Sequence, residues 1–208
     1  MAHELDLLLQ AAHLPGPYVV VTHSYGGIIA REFLARRLQD VVGMVFGDAE
    51  QEGSATVMDV PWEILFRLLG DLDYFATVGL DEEHQLRPEE WSHVKIDSER
   101  TQSINDAENV ESVSSCDRLR QKQQIQKPAT GRGTDRELQV IRDLVDRLRT
   151  KKEPLQRAIL GLSRLSQFVF IGKTGHNVQL TRPSAIAEQL KWVLDHVVSA
   201  TRWFKLLG

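Results

Sequence analysis

"YVVVTHSYGGIIAREF", residues 18–33, is the stretch on which the reading of this chain turns. Tyr18 to Thr22 is a β-branched run with no polar alternation, the pattern of a strand covered on both faces. From Ile28 the apolar positions switch to helical spacing, with Ile29, Phe33, Leu34 and Leu38 on one face and Arg31, Glu32, Arg36 and Arg37 on the other. Between them lie Ser24, Gly26 and Gly27, with only Tyr25 bulky. A strand that turns abruptly into a helix needs small residues at the crossing, and such a turn lifts the Ser24 hydroxyl out of the sheet.

The backbone N–H of Tyr25 and the positive end of the helix then sit where an oxyanion would form. The spacing is that of a GxSxG turn with Thr22 at the first glycine position. Threonine is larger, so looser packing beneath the turn is expected. Taken alone, a serine beside glycines also describes a plain turn; the buried strand before it and the amphipathic helix after it favour an exposed nucleophile.

A serine hydroxyl is a weak nucleophile until a base takes its proton. His176 is the candidate, in the glycine-flanked loop "GKTGHNVQL" after an apolar run, where loops at strand ends converge on a binding crevice. His3, His13, His84, His93 and His196 lie at helix ends or in charged stretches and read as surface residues. His23 precedes the serine, points to the other side of the turn and reads as a packing or hydrogen-bonding residue. A third group, a carboxylate that fixes the imidazole tautomer, is expected between serine and histidine in chain order. Asp48, at the end of "VVGMVFG", is placed for that role, and equally for capping the turn "GDAEQE" through local backbone N–H groups.

Working outward, residues 4–12 form a short amphipathic helix with Leu5, Leu8 and Leu9 inward, stopped by "HLPGP". A second buried strand is expected over Val41–Gly47 and a third over Gln167–Ile171. A closing helix from about Ser184 buries Ile186, Leu190, Val193, Leu194 and Val197. Strand and helix alternate, which predicts an α/β fold with a small parallel sheet flanked by helices. Residues 1–208 read as a single domain, in which about 54–165 form a helical, lid-like insertion without a buried strand. The polar segment from Asn105 to Gly133 predicts a loose connection.

Composition narrows the function classes. The chain has 208 residues, 42% of them hydrophobic, which is enough for one core of ordinary size. No apolar run is long enough to cross a membrane, and the acidic start "MAHELDLLLQAAHLPG" is not a secretory signal, so a cytoplasmic site is expected. Cys116 is the single cysteine, excluding an internal disulfide, and no His/Cys/Asp/Glu cluster has metal-ligand spacing. Residues 47–111 hold seventeen acids against four bases, and residues 118–152 hold eleven bases against four acids. The basic tract lies on helical patterns with Leu138, Ile141, Leu144, Val145 and Leu148 opposite and no interleaved aromatic residue. It therefore reads as a solvated face rather than a nucleic-acid site.

With "THSYGGIIAREF", "GMVFGDAEQE" and "TGHNVQLTRPSAIAEQLKWVLDHV" in view, the chain resembles the α/β-hydrolase superfamily of serine hydrolases. The resemblance implies Ser24 as nucleophile, His176 as general base, Tyr25 and Gly26 at the elbow and its oxyanion site, and no cofactor. It implies esters, thioesters or amides of small molecules as substrates, and a looser association with hydrolases of specialised metabolism.

Two departures set further expectations. Only seventeen residues precede Tyr18, so the strands that usually come first, and a second oxyanion donor, are expected to be absent from a fold shortened at its N-terminus. No apolar strand is evident between Cys116 and His176 until residue 167, so Asp48 inherits the acid role by position, with Asp135 as runner-up. Loss of one oxyanion donor lowers turnover by about 100- to 1,000-fold. Tyr18–Thr22 becomes an open edge inviting a homo-oligomer. Three readings stand: a serine hydrolase of reduced activity, a non-catalytic remnant that binds a small molecule or partner, and a basic-helix interaction module.

Overall fold

The computed structural model describes the backbone of residues 1–69, 73–108, 133–172 and 174–207 and, within these, all side chains except those of 66, 69, 101–108 and 199–207. Cys116 and most of the polar connection after Asn105 lie outside the described residues. The chain divides into two compact units, one of Met1–Ser54 with Glu153–Gly208 and one of Ala55–Lys152.

The first unit carries the sheet. Helix α1 (Ala2–Ala11) leads to strand β1 (Tyr18–Ser24), helix α2 (Gly26–Arg36) and strand β2 (Val41–Ala49). The two strands pair in parallel and form a two-stranded sheet. A parallel pair needs a crossover connection, and α2 supplies it, packing on both strands. Glycines let the layers approach closely. A Cβ at Gly43 would stand 2.2 Å from Val193 Cγ1, and one at Gly47 would stand 3.1 Å from Ile186 Cδ1, so β2 lies directly against the last helix. Phe33 of α2 is buried against Tyr18 of β1, the two rings meeting edge to face at 5.7 Å. Arg37, expected on the solvent face, instead donates to Asp6 and to Asp40, tying α1 to the end of α2.

Several sequence expectations are corrected. Residues 167–171 form no strand among the described elements; Val169 is 46% and Phe170 75% exposed. An apolar run this short does not specify a strand by itself, and among the described elements no neighbouring strand pairs with it. Val21, Leu8, Leu38 and Leu194 are exposed rather than buried. Leu38 falls in the turn beyond the end of α2, and a two-stranded sheet shields less surface than a wide one, which leaves Val21, Leu8 and Leu194 uncovered.

The second unit is helical. It contains most of α3 (Ser54–Met58), then α4 (Trp62–Leu69), α5 (Tyr74–Thr77), α6 (Leu80–Glu83), α7 (Pro88–Glu108) and the first part of α8 (Asp135–Ala158). Its packing centre is Trp91, 6% exposed, with Phe75 edge-on at 5.1 Å and His84 stacked at 4.2 Å. His84 is thus half-buried, not a surface residue. Asp81 accepts the Trp91 indole N–H at 2.9 Å, and that bond, with Lys95 nearby, holds its carboxyl below the usual carboxylate range. At the start of α8, Thr134 and Glu137 exchange backbone-to-side-chain hydrogen bonds, a reciprocal cap for two otherwise orphaned N–H groups. The Thr134 N–H is the main reason the Glu137 carboxyl is held low. The stabilisation from this cap is therefore present at neutral pH and lost as pH falls through the lowered folded-state value. No described helix is long and apolar enough to cross a membrane.

Candidate active site

The site is built where β1 and β2 end together. Ser24 is the last residue of β1 and has a φ of 53°, in the left-handed region that non-glycine residues avoid. Such a conformation costs about 1–3 kcal/mol and is retained where the surroundings over-determine it. Those surroundings are on both sides of the turn. Gly26 opens α2, and a Cβ there would meet Thr22 Oγ1 at 2.6 Å; a Cβ at Gly27 would meet the Glu50 carbonyl at 2.3 Å and Ala49 Cβ at 2.8 Å. The turn beneath Ser24 is therefore tight, not loosened by Thr22 as expected: the threonine occupies the space that residue 26 leaves by having no side chain. Gly27→Ala pushes a methyl group into the backbone at the end of β2 and is expected to lower stability by about 1–3 kcal/mol. A thermal melt matching that of the unsubstituted protein would show that the elbow tolerates a side chain there.

Asp48 reaches the site through an irregularity. His23 pairs with Gly47 and Ser24 with Ala49, so β2 carries one extra residue, Asp48, between two successive pairs of the ladder. Its φ is 45°. A bulge of this kind re-aims a side chain that regular alternation would point elsewhere. Aspartate tolerates the left-handed region better than most residues, so the bulge is cheap at this position.

His176 lies in the loop before a short helix α9 (Val178–Thr181), and the final helix α10 (Pro183–Leu207) follows at once. The loop is pinned through the His176 carbonyl, which accepts from His23 Nε2 at 2.9 Å and from the Val178 backbone N–H at 3.0 Å. The two imidazole rings stand 4.5 Å apart. His23 thus makes a hydrogen bond to the loop that carries His176.

These placements bring Ser24, His176 and Asp48 together within one compact unit. Ser24 Oγ lies 3.0 Å from His176 Nε2, and Asp48 Oδ2 lies 2.7 Å from His176 Nδ1. An ionised carboxylate only accepts, so the network assigns the proton to Nδ1 and leaves the Nε2 lone pair toward the serine hydroxyl. The other Asp48 oxygen, Oδ1, accepts from the Gln156 side-chain amide. The Asp48 side chain is 17% exposed and that of His176 is 41% exposed. Asp135 opens α8. Both ring nitrogens of His176 are already engaged, so Asp135 has no imidazole N–H left to accept. Tyr25 is the N-cap of α2 with its ring exposed, which places its backbone N–H at the helix's positive end beside Ser24. Among the described residues no group of His, Cys, Asp and Glu could hold a metal ion.

Gln156 and Gln51 escaped the sequence reading. A glutamine in polar helical text or in the turn after a strand carries no motif, and only the fold shows that "EPLQRA" lies beside the end of β2.

Comparison with known proteins identifies the family. The profile of the alpha/beta hydrolase family matches residues 2–189. An AB hydrolase superfamily protein of Gibberella zeae is 31% identical over an alignment of 231 positions, spanning 95% of this chain and 71% of the relative. A protein of Hormonema carpetanum named as a probable transporter is 24% identical over 94% of this chain but only 32% of its own length. A Bacillus subtilis protein, YqjL, is 36% identical over 29% of this chain and 24% of its own. No solved structure matches. From the match along nearly its whole length, together with the strand, elbow and histidine loop just described, the chain belongs to the alpha/beta hydrolase family.

Proposed function

We propose that the chain is a serine hydrolase that cleaves an ester, thioester or amide bond of a small molecule through Ser24, His176 and Asp48. The observation that carries this reading is the unbroken hydrogen-bond chain from Ser24 Oγ through both ring nitrogens of His176 to Asp48. As Ser24 Oγ attacks the substrate carbonyl carbon, His176 Nε2 takes its proton, and Asp48 stabilises the imidazolium that results. The negative charge on the carbonyl oxygen develops toward the Tyr25 N–H and the α2 N-terminus. Collapse expels the leaving group with the proton from Nε2 and leaves an acyl-serine. Water, deprotonated by the same imidazole, then releases the acid and regenerates Ser24. No step calls for a cofactor.

Incubation with a fluorophosphonate probe tests the proposal: covalent labelling at Ser24, absent from Ser24→Ala, is the expected result. Folded protein that takes up no probe would move the reading to a non-catalytic binding protein. His23 enters through its bond to the His176 carbonyl. His23→Leu keeps the bulk and removes the hydrogen bond, and the labelling rate is expected to fall about tenfold, the cost of one hydrogen bond at about 1–1.5 kcal/mol. An unchanged rate would mean that the Val178 N–H alone holds the loop.

A further inference from the structure

We propose that Gln156 is a positioning residue for the acid of this site, acting with Gln51 as a two-way clasp between β2 and the end of α8; this rests on the hydrolase reading above. Two contacts carry it. The Gln156 amide donates to Asp48 Oδ1, while the Gln51 amide donates back to the carbonyl of Leu155. The second contact reaches the last turn of α8, where Gln51, 8% exposed, finds a backbone partner for its side-chain amide. A buried side-chain amide such as that of Gln51 is costly to leave without a hydrogen-bond partner.

The clasp follows from the local chain. Asp48 and Gln51 flank the end of β2, and Leu155 and Gln156 are neighbours on α8 just after Pro154. Each segment thus offers one donor and one acceptor to the other. The consequence lies at the carboxylate. Asp48 sits on a bulge, where the regular ladder does not set the direction of its side chain, and rotation about χ2 of an aspartate meets only a broad, shallow barrier. The orientation of the two oxygens is then decided by what they bond to. With Oδ1 fixed by Gln156, the remaining oxygen, Oδ2, is aimed at His176 Nδ1. A neutral amide does this without bringing a second charge against the acid. Gln156 never touches the reacting atoms; it acts through Asp48.

Two readouts on the whole chain test the clasp, one requiring catalysis and one not. The first is the rate of fluorophosphonate labelling at Ser24. The second is the low-field proton resonance of the His176 Nδ1–H, which reports the bond to Asp48 whether or not the serine reacts. Gln156→Leu is expected to slow labelling about tenfold and to broaden or remove the Nδ1–H signal through faster exchange, with little change in the melting temperature. Gln156→Glu, nearly the same in shape, replaces the donor by a like charge and is expected to slow labelling further; it serves if the leucine variant does not fold. Gln51→Leu is expected to act in the same direction, and the double variant to lose about as much as one single variant, because both act on one unit. Variants that label at the unsubstituted rate and keep the Nδ1–H signal overturn the clasp. If the unsubstituted protein takes up no probe but its Nδ1–H signal disappears in Gln156→Leu, the clasp stands and the hydrolase reading fails.

Discussion

Ser24→Ala is expected to abolish hydrolysis of small activated esters such as p-nitrophenyl acetate, with turnover falling by about a million-fold. The magnitude follows from the way the three groups act as a unit: without Oγ, the base and its carboxylate have no proton to move. Whether the loss reflects chemistry or damage to the fold is decided by a companion variant. Ser24 holds a φ of 53°, which a residue without a Cβ adopts freely. Ser24→Gly is therefore expected to be as inactive as the alanine variant yet more stable than the unsubstituted protein, by about 0.5–1 kcal/mol in chemical denaturation. Activity lost while stability rises is the signature of a residue retained for its hydroxyl. A glycine variant that keeps measurable turnover above background would remove Ser24 from the mechanism.

The same strain explains how much of this site the sequence discloses. The turn at Ser24 is legible because its chemistry is local: the β-branched run, the two glycines and the helical spacing lie within sixteen consecutive residues. The histidine loop is legible for a related reason, since glycines flank it and an apolar helix follows. Asp48 is only half legible. Its place at the end of an apolar run suggests the sheet edge, but the bulge that turns it from a turn cap into the partner of His176 arises from pairing with β1, a non-local event. Gln156 is not legible at all, because a helical glutamine 108 positions from its partner leaves no periodic trace. The fold shows the same division. Strands β1 and β2 follow from their runs, whereas residues 167–171 carry an equally apolar run and form no strand, because a strand is a property of its neighbours as well as of itself. Exposed Leu8 and Leu194 make the point for helices: spacing identifies the apolar face, and only the surrounding layers decide how much of it is covered.

Asp48→Asn is expected to lower turnover by about ten-thousandfold while leaving the fold intact. Asparagine is nearly isosteric and is the residue that best tolerates the left-handed region after glycine, so the bulge at φ 45° survives the change. The loss comes from the direction in which the new amide must face. Gln156 presents an N–H donor to the Oδ1 position, so the carbonyl oxygen of the introduced asparagine is drawn to that side. Its NH2 group is then left facing His176 Nδ1, at the place where a carboxylate oxygen stands 2.7 Å away in the unsubstituted protein. A donor facing Nδ1 requires that nitrogen to accept, which moves the ring proton to Nε2. With Nε2 protonated, the imidazole can no longer take the Ser24 proton across the 3.0 Å contact. Substrate binding does not depend on the tautomer, so the loss is expected in kcat with KM nearly unchanged, and the His176 Nδ1–H resonance should vanish. The glutamine sharpens the comparison further. In Asp48→Asn combined with Gln156→Glu, the new carboxylate on α8 accepts from the new amide on β2 and turns that amide's carbonyl toward Nδ1. That pairing restores the productive tautomer and is expected to recover part of the lost turnover. No recovery, with both variants folded, would mean that charge at position 48, rather than the orientation of its acceptor, governs the imidazole.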